Sequence, residues 1–153
     1  MSVAYSINYN TILFEKNSNK YIRKITDIVR CYILDIDILL TGLTNKFQNF
    51  KLKNKKTQEY YIKELYDDTD QLIAHFHNIL DKYYKRQDVI EELIKMLNYI
   101  KRDYNDIVIT FNNILENKEN QENGFLLMLR FWANKRIYKH YQDIMSYNEL
   151  LNN

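Results

Sequence analysis

Arg136 and His140 stand four residues apart in this 153-residue chain, with Ile137, Tyr138 and Lys139 between them. On a helix that spacing puts a guanidinium and an imidazole on one face. The cation could steady a phosphorane and the imidazole could move a proton. The chemistry implied is metal-free cleavage of RNA. The plainer reading is a basic surface with a solvated His.

Other constellations carry less. Helical ribonucleases of the HEPN class place an Arg and a His on one helix with four to six residues between. Here the spacing is one short and Ile137 follows the Arg, so no family is assigned. His75 and His77 lie two apart within an expected helix. They point about 200° from each other and are expected as ordinary flank histidines. A single Cys excludes a multi-thiolate zinc site within one chain, and Cys31 is expected to be at least half buried. With only Gly42 and Gly124, no phosphate-cradling loop can be written. No cofactor, metal or small-molecule substrate is expected.

Two surfaces could bind macromolecules. Lys51, Lys53, Lys55 and Lys56 crowd one linker and could contact a nucleic-acid backbone. Phe125 to Trp132 is apolar almost all round, interrupted by Arg130. In a helix only one side of such a run can face a core, so the rest needs cover. Phe125, Leu126, Leu129 and Trp132 are the expected anchor for a partner, extended by Tyr138 and Tyr141. Fourteen tyrosines fit a contact surface.

The elements that position these residues are read from periodicity. Ile22, Val29, Ile36, Leu43 and Phe50 repeat every seven residues, and Ile33, Leu40 and Phe47 form a second row. This predicts a helix over about 20–50, interrupted, split or closely approached at Gly42. Ile62, Leu65, Thr69, Leu72, Phe76, Ile79 and Tyr83 mark a second helix over 58–84, with Thr57 as its cap. The third helix starts with a capping box at Asp88–Glu91. Its seam is Ile90, Leu93, Leu97, Ile100, Tyr104, Ile107, Phe111 and Ile114. Residues 116–124 form a polar loop ending in Asn-Gly, and a fourth helix covers about 125–150.

The predicted fold is all-α: an elongated antiparallel four-helix bundle over 20–153. Residues 1–19 form an irregular or short-strand arm, since Val3, Tyr5, Ile7 and Tyr9 alternate with polar neighbours. The absence of Pro and the scarcity of Gly argue against a many-stranded fold. They also reflect an AT-rich coding sequence, common in viruses, mobile elements, parasites and low-GC bacteria. No apolar run approaches the roughly 20 residues that span a bilayer. A net charge of +2 does not by itself imply nucleic acid.

The expected role is therefore a non-catalytic protein–protein interaction module in the cytoplasm (host cytoplasm if viral): an adaptor, assembly subunit or inhibitor. Its partner would be another protein or a second copy. Nucleic-acid binding through the 51–56 linker is the alternative, and ribonuclease chemistry at Arg136 and His140 the third.

Overall fold

The computed structural model describes residues 19–50, 53 and 55–153, with side chains from Lys24 onward. Residues 1–18 of the expected N-terminal arm and the side chain of Ile22 lie outside that description, and Asn19 opens the first helix. Among the described residues the chain is all-α and has no strand. The elements are α1 (Asn19–Asn49), α2 (Lys55–Tyr83), α3 (Gln87–Glu116), α4 (Gln121–Met128), a π-helical stretch (Leu129–Arg136) and α5 (Ile137–Asn152). The last three run on without a break, and together they form the fourth rod. No helix among the described residues is long and apolar enough to cross a membrane.

The heptad stripes become the core. Val29, Ile33, Ile36, Leu40, Leu43 and Phe47 of α1 are buried, as are Leu93, Leu97, Ile100, Ile107 and Phe111 of α3. Burying each such side chain contributes about 1.5–3 kcal/mol. At one end four phenylalanines meet, Phe47, Phe111 and Phe125 from three helices and Phe50 from just past the end of α1. Phe125 stacks on Phe50 at 4.3 Å and meets Phe47 edge-on at 5.6 Å, while Phe111 meets Phe47 at 5.2 Å. Buried Gln58 donates to the carbonyls of Phe47 and Phe50 at 2.8 and 2.6 Å. It thereby satisfies acceptors that the end of α1 leaves open.

Packing pairs give the directions. α1 packs on α2 and α3, and the fourth rod packs on α2 and α3. Tyr66 bonds Asn45 and Arg30 pairs with Asp81, so α1 and α2 run antiparallel. Tyr61 meets Arg130, Glu64 meets Asn134 and Lys82 meets Asn152. Residue numbers rise together across these contacts, so α2 and the fourth rod run parallel. Tyr32–Asn98 and Phe47–Phe111 show the same for α1 and α3. Asp103–Arg136 and Ile114–Gly124 set α3 and the fourth rod antiparallel, so alternate rods share a direction, as they do when rods succeed one another up and down.

Several local expectations change. α1 passes through Gly42 unbroken, and a Cβ there would meet nothing within 4 Å. Gly42 therefore marks neither a break nor a close approach. Gly124 does mark one, since a Cβ there would lie 3.3 Å from Ile114 Cγ1. The expected capping box is absent: α3 starts at Gln87 and its N-cap, Arg86, makes no side-chain cap bond. Asp88 instead pairs with Arg86 at 2.6 Å, which holds its carboxyl below the usual range. α2 begins at Lys55, ahead of the expected Thr57 cap. Asn120 adopts a left-handed φ of 61°, which Asn tolerates better than most residues. The chain turns there at once, so α4 starts four residues earlier than the apolar run suggested.

Candidate functional site

The fourth rod carries both candidate surfaces, and the π-helical stretch in its middle relates them. A π turn places an extra residue in each turn and so rotates the helix beyond it. Two bonds tie this stretch to α2: Arg130 Nε donates to Tyr61 Oη at 2.9 Å, and Asn134 Nδ2 to Glu64 Oε2 at 3.1 Å. Met128, Leu129, Ala133 and Ile137 enter the core.

The apolar anchor falls differently from the expectation. Phe125 and Leu129 have no exposed surface. The chain's own core consumes them, because Phe125 completes the aromatic cluster. Leu126 and Trp132 are partly buried against the core. The open residues are Leu127 and Phe131, 65% and 55% exposed, with Tyr138 at 47%. Tyr141 is half buried, its ring 5.7 Å from that of His75.

Of the basic linker, Lys53, Lys55 and Lys56 are exposed, and Lys51 lies outside the described residues. Lys55 and Lys56 belong to the first turn of α2. The backbone N–H of Lys53 donates to Glu122 Oε1 at 2.8 Å, so an acidic side chain adjoins this cluster.

Arg136 and His140 do come together, around a residue that the sequence pattern did not single out. Asp103 of α3 has a side chain only 3% exposed. Its Oδ2 lies 2.6 Å from His140 Nε2. An ionised carboxylate can only accept, so Nε2 carries the proton and Nδ1 of the neutral ring is the acceptor. The other oxygen, Oδ1, lies 3.7 Å from Arg136 Nη1 and 3.8 Å from Arg102 Nε. Burial pushes the His140 pKa below its ordinary value, and the bond to Asp103 and that carboxylate's charge oppose the shift.

These groups line a groove of about 540 Å³ between α3 and the fourth rod. Lys95 and Lys139 line it as well, and Glu92 and Asp143 are its other acidic members. Asp103 flanks the α3 seam between Ile100 and Tyr104, where a charge ordinarily reads as solvated. Only its facing partners on another helix, invisible in one sequence, distinguish it.

The remaining chemistry-bearing residues stay apart. Cys31 is exposed, contrary to expectation. Among the described residues no three His, Cys, Asp or Glu side chains converge as metal ligands would. Asp68, beside Glu64 and Asp67, has its carboxyl pushed up to about 6, by burial first and by its neighbours second. In comparisons with protein-family models, curated proteins and solved structures, nothing matches this chain.

Proposed function

We propose that this chain is a non-catalytic protein–protein interaction module, an elongated four-helix bundle that offers the outer face of its fourth rod to a partner protein. The exposure of Leu127 and Phe131 carries the reading. They lie four residues apart, about one turn, while Tyr138 lies beyond the π-helical stretch that rotates the rod. Large apolar side chains so spaced form a contiguous stripe, and such stripes dock into grooves on partners. Exposed Arg130 and Lys135 stand beside the stripe, which fits a partner pocket with an acidic rim. Adaptor, assembly-subunit and inhibitor roles all use such a face.

The test is the double substitution Leu127→Ser with Phe131→Ser. Both positions are open, so the helical circular dichroism should be unchanged. Self-association, measured as mass against concentration, or capture of a partner protein should be lost. Retention of both by the double variant, or a wild-type chain that neither self-associates nor captures a protein, refutes the proposal.

The exposure of Lys53, Lys55 and Lys56 favours a second reading, contact with a nucleic-acid backbone. It requires affinity that falls steeply with salt and is lost when these lysines are neutralised.

A further inference from the structure

We propose that the groove between α3 and the fourth rod is a binding site for a phosphate group, independent of the apolar stripe. Two guanidiniums from different helices converge on one buried oxygen, Asp103 Oδ1, at 3.7 and 3.8 Å. Those distances are too long for hydrogen bonds. The carboxylate therefore draws both cations in by charge and leaves their N–H donors unspent. Neither Arg102 nor Arg136 makes a hydrogen bond to any other group among the described residues. The two nitrogens lie at most about 7.5 Å apart, flanking one oxygen. A tetrahedral oxyanion bridges such a gap with hydrogen bonds of about 2.9 Å.

The guanidiniums are also held in place. Arg136 lies over the Trp132 ring at 4.9 Å and Arg102 over the Tyr99 ring at 5.0 Å. Stacking uses the flat face of each group and leaves its hydrogen-bonding edge available. Less side-chain entropy is then lost when a ligand binds. Lys95 and Lys139 add two cations, so the groove carries four positive side chains against Glu92, Asp103 and Asp143. The surplus is positive, and paired Arg donors suit phosphate best. The volume of about 540 Å³ is enough for more than an isolated phosphate ion.

The experiment is calorimetric titration of the intact chain at low ionic strength with three probes: inorganic phosphate, uridine 5′-monophosphate and a short single-stranded oligouridylate. All three should bind in mutual competition. Arg136→Gln and Arg102→Gln should each weaken binding by at least about tenfold, with helical content unchanged. Lys139→Gln, at an exposed residue with no ion pair among the described residues, should weaken it less and guards against misfolding of the Arg variants. Leu127→Ser should leave phosphate binding intact, which separates this site from the interaction stripe. Mononucleotide binding as tight as the oligomer assigns a small-molecule source. Tighter, steeply salt-dependent oligomer binding assigns a nucleic acid. Absence of binding by all three probes, or unchanged affinity in both Arg variants, overturns the proposal.

Discussion

Replacing Asp103 by Asn keeps the shape of the side chain and removes its charge. At neutral pH the carboxylate accepts from His140 Nε2 at 2.6 Å and faces two guanidiniums. A hydrogen bond to a charged group contributes about 1.5–3 kcal/mol. The Asn carbonyl can still accept, which returns roughly 1 kcal/mol of that. The guanidiniums, 36% and 62% exposed, can turn to water when the charge goes. The expected loss is therefore about 0.5–2 kcal/mol, below the 3–5 kcal/mol of breaking a fully buried ion pair. Urea denaturation followed by circular dichroism would measure it.

The same substitution has a proton signature. Asp103 favours the imidazolium, so without it burial lowers the His140 pKa further. A lowered His pKa means that the folded state resists protonation. Stability is then full above the unfolded value near 6.5 and falls as pH drops through the folded value. Asp103→Asn should extend that fall to lower pH. An NMR titration of the His140 ring protons should show the pKa moving down. A variant within 0.5 kcal/mol of wild type with an unmoved His140 titration would refute the coupling.

Three more outcomes concern single positions. Gly42→Ala should raise stability by about 0.5–1 kcal/mol in a denaturant series, because the site is helical and open around the new methyl. Asp68→Asn should stabilise the chain by about 1 kcal/mol at pH 7, a figure discounted for partial exposure. A carboxyl with a raised folded pKa loses stability as pH climbs from about 4 to 6, so that gain should vanish in thermal melts below pH 4. Phe125→Ala should cost about 3–5 kcal/mol, whereas Leu127→Ala should change the denaturation midpoint little, since one side chain is buried and the other open.

Much of the fold was legible because its signal is local. The 3–4 spacing of Leu93, Leu97, Ile100 and Ile107 names buried residues directly. The α1 rows did the same. What escaped depends on partners far along the chain. Asp103 is buried because His140 and Arg136 come from another rod. Gln58 is buried because the end of α1 offers it carbonyls. The π-helical stretch is tied to α2 through Tyr61 and Glu64, contacts that no window of neighbouring residues contains. The outward turn of Leu127 and Phe131 depends on which rods flank the last one. An apolar run alone does not encode that choice.

The parallel pairing of α2 with the fourth rod bears on how the molecule assembles. Tyr61 must wait for Arg130, and Lys82 for Asn152, so every such contact closes a loop of about 70 residues. Non-local closures of that span slow folding, whereas the α1–α2 hairpin needs only a short reversal. During synthesis α2 therefore keeps one greasy flank wet through the whole translation of α3. That interval is when a chaperone or a premature aggregate would compete for it.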